Sequence, residues 1–361
     1  MIYKEDWEKC KDRFNAFWEN AIIDRCCFGV VSPRKLPIEV NTKYREAASL
    51  KEKWLNPEFR YTNFIYELSK TYYGAEAFPN FWVNLGPGIV SAFVGSPYKL
   101  SNDTIWFDCD PMIDDLDKIP EIKFSLDSEM WKATNDITEF FCKKADGNYY
   151  VSMTDLGGTL DIVASFRGSQ RLLMDLYDYP DEIKSLINAV DDVWINYYEK
   201  LQRHSNIYLE GTCGWLPVWC KERSYPIQCD ISVMMSPMQF EEFVRPSLEK
   251  QSQFLDKCIY HLDGPGQLNH LDQILDIEGI DAIEWVPIPE NGRWTTGDEK
   301  WFPIYKKIQA KGKKLVLRDV EPNSVERLLK NISSKGLFFT TYTNSEDEAK
   351  EMIKKVEQWS I

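Results

Sequence analysis

Eight short apolar runs recur along this chain, near residues 27, 81, 150, 227, 259, 282, 314 and 336, and a helical stretch separates most of them. Apolar runs this short, bounded by turn residues, read as buried strands. Strands that alternate with helices pair in parallel, because each helix returns the chain to the end from which the next strand starts. Eight such units in 361 residues, with no Pro/Gly/Ser-rich linker to divide them, predict a single (β/α)8 TIM barrel over residues 1–361. An open, doubly wound sheet is the alternative. A helix over residues 5–20 is expected as an N-terminal extension, and the acidic, irregular stretch 101–147 as an insertion over one barrel face.

A barrel carries its chemistry at the C-terminal ends of its strands. That rule selects Arg34, Asn84, Asp155, Asp230, His261, Asp263, Glu284, Arg318, Asp319 and Thr341. Residues 259–285 concentrate the signal, reading as strand, Gly-Pro-Gly turn, helix and strand. On a strand, residues two apart point the same way, so His261 and Asp263 present an imidazole and a carboxylate side by side. The same tripeptide recurs at His270-Leu271-Asp272, but inside the predicted helix, where it reads as surface.

His261 and Asp263 suit a catalytic metal site if a third ligand comes from Asp230, Cys229 or Glu284. Without metal, the pair reads as a general base oriented by a carboxylate. Cys229 beside Asp230 is either a ligand or packing. Arg34, after the first strand, is placed to hold a substrate carboxylate or phosphate, or is a surface loop residue. Asp155, Glu284 and Trp285 are expected to contact substrate, Trp285 by stacking at the mouth. The glycines at 86 and 88 predict close backbone packing rather than a phosphate loop.

The net charge of −14 argues against a nucleic-acid partner. No apolar run approaches the roughly 20 residues that a membrane helix needs. Nine cysteines are scattered without disulfide or zinc spacing, and the first residues are charged and helical. A cytoplasmic, reduced setting is the expectation.

Three stretches carry a family resemblance: residues 150–168 (YVSMTDLGGTLDIVASFRG), 229–243 (CDISVMMSPMQFEEF) and 260–275 (YHLDGPGQLNHLDQIL). In order and spacing they resemble strands three to five of the uroporphyrinogen decarboxylase superfamily, most closely its branch near the cobamide-dependent methyltransferases. The pattern of Asp230 followed by Ser236-Pro237-Met238-Gln239-Phe240 is the most specific part. The resemblance covers most of the chain, more weakly in the N-terminal half. It implies transfer of a methyl group between a corrinoid, or a small methylated donor, and a small acceptor. It also implies a zinc site and a partner protein that carries the corrinoid.

The departures are specific. The branch builds its zinc site from His-x-Cys after strand five and a Cys in the last strand. Here the His is kept as His261, Asp263 stands at the x-Cys position, and the last-strand position falls at Thr340 or Thr341. The Arg-rich motif of true decarboxylases is reduced to Arg34, and the last strand, Phe339-Thr340-Thr341-Tyr342, lacks their His. Porphyrinogen decarboxylation is therefore not expected. The missing thiolates leave two rival readings. One is a metal-free decarboxylase or lyase acting on a small carboxylated substrate. The other is a non-catalytic corrinoid- or tetrapyrrole-binding protein.

Overall fold

The computed structural model describes residues 1–107 and 110–360, so Asp108 and Cys109 of the expected insertion lie outside the described residues. All eight expected strands are found: β1 (Cys27–Pro33), β2 (Asn80–Trp82), β3 (Tyr150–Ser152), β4 (Ser224–Ile227), β5 (Lys257–Asp263), β6 (Ala282–Val286), β7 (Lys314–Leu317) and β8 (Leu337–Tyr342). Six of them run parallel in the order β4-β5-β6-β7-β8-β1, so the first strand pairs with the last. β2 and β3 pair in parallel with each other. The fold is α/β around a mainly parallel seven-stranded sheet.

The seventh strand, Thr71–Ala75, runs antiparallel along the outer edge of β1. Helix Pro57–Lys70 runs into it with no turn residue between them, so periodicity gives no boundary there. The hydrogen-bonded ladder is not closed: among the described residues, none joins β1 to β2 or β3 to β4.

Two other expectations are corrected. The run near residue 227 marks the end of a strand rather than its start: β4 ends at Ile227 and Asp230–Met234 is a 3-10 turn. The cause is Asp161, whose carboxylate accepts the N–H groups of Asp230 at 2.9 Å and Ile231 at 2.7 Å and draws the chain out of the ladder. The stretch 101–147 is not irregular throughout: Glu129–Ala145 is a helix that packs on the long helix Pro180–Tyr208.

The N-terminal helix Trp7–Trp18 buries Trp7, Phe14, Phe17 and Trp18, with the Phe14 ring 5.6 Å from Phe338 of β8. Burying such aromatics contributes roughly 2–3 kcal/mol each, so this helix belongs to the core. Among the described residues, no helix is long and apolar enough to cross a membrane.

Candidate functional site

Five consecutive strands deliver ionisable side chains at their C-terminal ends. Asp155 follows β3, Asp230 follows β4, His261 and Asp263 lie on β5, Glu284 lies on β6, and Arg318 and Asp319 follow β7. The β5–β6 register sets His261 opposite Glu284. Opposed residues share a face of the sheet, and His261 Nδ1 lies 2.5 Å from Glu284 Oε2. The second oxygen of Glu284 accepts from Arg318 Nε. Trp215, from the hairpin loop between Thr212–Cys213 and Trp219–Cys220, sets its ring edge-on to His261 at 4.9 Å and lies under the Arg318 guanidinium.

These contacts decide the charges. Burial pushes Glu284 up, but Arg318 and His261 outweigh it and hold the carboxyl below its ordinary value. Burial pulls His261 down, but Glu284, with Asp230 and Asp263 adding, raises it to about 9. Nδ1 is committed to Glu284, so Nε2 is the nitrogen left to offer a ligand. Ligand atoms of Asp230, His261 and Asp263 lie within 4.8 Å of one another. Asp230 Oδ1 is buried without a hydrogen-bond partner. A buried, unpaired carboxylate oxygen is costly, so this group fits a bound cation. One imidazole and two carboxylates suit Zn²⁺ or a comparable divalent ion.

Asp230 also lines a cavity of about 180 Å³, together with Gly88, Gly157, Asp161 and Gln228; His261 and Asp263 are not among its lining residues. A Cβ added at Gly157 would sit 2.5 Å from the Gly88 Cα, so the backbones of the turns after β2 and β3 touch there. Close packing was what the glycine turn predicted. Burial raises Asp155 and Asp230 to about 7, with repulsion from Asp230 adding at Asp155 and repulsion from Asp161 and Asp263 adding at Asp230. Burial likewise raises Asp161 to about 6, with repulsion from Asp155 adding.

No protein-family model matches the sequence, and no curated protein matches it either. Among solved structures, a methyltransferase from Methanosarcina mazei superposes with a TM-score of 0.62 at 12% identity, over 98% of this chain and 99% of that one. The two chains share a fold. A B12-independent methionine synthase from Shewanella sp. W3-18-1 gives a TM-score of 0.37 at 9% identity, over 63% of this chain and 64% of that one. That second likeness is too slight to carry an argument.

The structure does not bring three expected residues to the site. Trp285 points to the opposite face of β6 from Glu284, is buried, and packs edge-on to Trp301 at 4.9 Å. Arg34 donates from Nε to the Thr71 carbonyl at 3.2 Å and from Nη2 to the Tyr3 carbonyl at 3.3 Å. Cys229 is outside the triad, and burial, with Asp161 and Asp230 adding, pushes its thiol well above its ordinary value. A thiol held that high is a poor metal ligand.

The second HLD copy is corrected too. His270 is buried rather than on the surface, stacks on Phe240 at 4.5 Å, and its Nε2 lies 2.9 Å from the Ser232 carbonyl. Sequence reasoning also passed over Asp161 and Trp215. An acid in the first turn of a helix that follows two glycines was the available signal for Asp161; Trp215 had none beyond its place between Cys213 and Cys220.

Proposed function

We propose that this chain is a methyltransferase-like enzyme that moves a methyl group between a corrinoid, or a small methylated donor, and a small acceptor. The observation that carries the reading is the convergence of Asp230, His261 and Asp263 within 4.8 Å at the C-terminal end of the sheet. In this reading they hold a divalent metal, with zinc first in line. The fold shared along the whole length with the methanogen methyltransferase supports it. We read the eight strands as one ring and residues 1–361 as one domain, because the pairing of β1 with β8 is what ring closure requires.

A metal at this site would supply Lewis acidity, lowering the pKa of a bound thiol or hydroxyl at neutral pH. The protein's own groups do the rest. Glu284 orients His261 and fixes its tautomer, while Arg318 keeps Glu284 ionised. Asp155, raised to about 7, is suited to exchange a proton near neutrality. Arg318 and Arg34 are committed to Glu284 and to backbone carbonyls respectively, which disfavours a carboxylated substrate. A corrinoid-carrying partner protein would present its cofactor at this end of the sheet.

The test is metal analysis of the purified protein and of His261→Ala, together with spectrophotometry of methylcobalamin mixed with a thiol acceptor. Stoichiometric metal, lost in the variant, and demethylation of the corrinoid are expected. Neither metal nor demethylation in the wild type would end the proposal.

A further inference from the structure

We infer that Trp215 is a positioning residue: it holds His261 and Arg318 on Glu284 and so fixes how the imidazole is presented beside Asp230 and Asp263. The inference rests on the reading above for what that orientation serves, and adds to it a residue from outside the eight strands.

Each partner of Glu284 has one hydrogen bond to it. His261 gives Nδ1 to one oxygen, and Arg318 gives Nε to the other rather than gripping it with a two-nitrogen fork. One bond fixes neither group. The outer torsion of a histidine is broad, so the imidazole can tilt about its bond, and a guanidinium held by a single N–H lacks the geometric lock of a fork. Trp215 supplies the second contact to both. Its ring stands at 81° to the His261 ring with centroids 4.9 Å apart, and the Arg318 guanidinium carbon lies over it at 6.0 Å. These are contact distances for an edge-to-face pair and for a cation over a ring. Imidazole, carboxylate, guanidinium and indole therefore close a circuit of four contacts around a carboxylate with no exposure. The Arg318 side chain is 36% exposed and would gain room to turn to solvent without the indole.

Trp215 is itself held from several sides. Its indole N–H donates to the Pro226 carbonyl at 3.3 Å, and its ring lies 6.5 Å from that of Trp82. A Cβ added at the preceding Gly214 would collide with the Pro226 ring, so glycine there lets the loop press on β4. With the N–H spent on Pro226, the indole offers His261 only carbon and π surface. A tryptophan has no other donor and no acceptor, so it constrains the imidazole without capping Nε2.

Histidine-selective ¹⁵N NMR of the metal-free full chain tests this by following the Nδ1–H of His261, identified by its loss in His261→Ala. Trp215→Phe keeps a ring and loses the indole N–H. Trp215→Leu loses both, and Trp215→Met is a second ringless variant whose flexible side chain refills the site if Leu does not fold. The signal should persist in wild type and Trp215→Phe, and exchange with water at least tenfold faster in the ringless variants. Zinc affinity, measured by chelator competition, should split the same way: within threefold of wild type for Phe, about tenfold weaker for Leu or Met. Equal exchange in all variants would make Trp215 an anchor of the hairpin through its N–H alone and overturn the inference. A wild type without a protected Nδ1–H would overturn it too. Zinc bound equally by every variant would sink this inference alone. The split in exchange in a chain that binds no metal would end only the methyl-transfer reading.

Discussion

His261 and Glu284 face each other directly across the β5–β6 ladder, with Nδ1 2.5 Å from Oε2. Glu284 has no exposure and also engages Arg318, so one buried carboxylate orients both a proposed ligand and a cation. Glu284→Gln keeps the shape and removes the charge. Metal affinity should fall about 10–100-fold, the usual cost of losing the partner of a ligating histidine. Stability should fall by roughly 2–3 kcal/mol, less than the roughly 3–5 of a fully buried broken pair, because Arg318 keeps some solvent access. Chelator competition and thermal melts read the two effects. Undiminished metal affinity would remove Glu284 from the site.

The two HLD copies should respond in opposite ways. His261→Ala should lose the metal. His270→Ala should retain it while costing roughly 2–4 kcal/mol, since it empties a stacked, buried position against Phe240 and strips the Ser232 carbonyl of its partner. Metal stoichiometry and denaturant midpoints of the two variants make the comparison. Loss of metal in both would mean that His270 shapes the site through the loop after β4.

Gly157→Ala probes the contact between the turns after β2 and β3. Its φ of +88° favours glycine, and the added methyl would lie 2.5 Å from the Gly88 Cα, which cannot swing away as a side chain would. A loss of roughly 2–4 kcal/mol is expected from backbone strain plus overpacking. A melting temperature within a degree of wild type would show that the turns separate freely.

How much was legible in the sequence follows from the range of the forces involved. Short apolar runs located all eight strands, and the period of two correctly placed His261 and Asp263 on one face. The same period forbids Glu284 and its neighbour Trp285 from sharing a pocket, and the structure separates them. Contacts made at long range left no local trace. Asp161 ends β4 from nearly seventy residues upstream, at a separation of 69. Trp215 reaches His261 from a separate hairpin, and Thr71–Ala75 becomes a strand only because β1 offers it an edge.

Asp155 should make the stability of the metal-free protein depend on pH. Its folded pKa of about 7 lies above the ordinary 3.8, because burial disfavours the charged form. The native state therefore keeps a proton that the unfolded chain releases. This group's contribution is best below about pH 4, declines as pH rises toward 7, and is flat above. Asp155→Asn removes the ionisation while keeping an oxygen for the Gly157 N–H. In chelator the variant should exceed wild type by roughly 1–3 kcal/mol at pH 8, against a ceiling of about 4 for a three-unit shift, and by far less at pH 4.5. An equal difference at both pH values would contradict a carboxyl whose ionisation burial disfavours.

Asp263 stands where the resembling methyltransferases have a thiolate, and the structure supplies no substitute for that thiolate at the triad. All eight described cysteines are buried, and the nearest in sequence to Asp230, Cys229, has its thiol pushed well above its ordinary value. The proposed donor set is thus imidazole and carboxylate, harder than the thiolate-containing set of the proteins it resembles. Cobalt(II) substituted into the wild type should show ligand-field bands but no sulfur-to-cobalt charge transfer. Asp263→Cys recreates His-x-Cys at an exposed strand end that tolerates the exchange. It should gain the charge-transfer band and bind cadmium at least tenfold more tightly, because a soft ion prefers thiolate to carboxylate. A charge-transfer band already present in the wild type would bring Cys229 back as a ligand. No band in Asp263→Cys would place the metal away from β5.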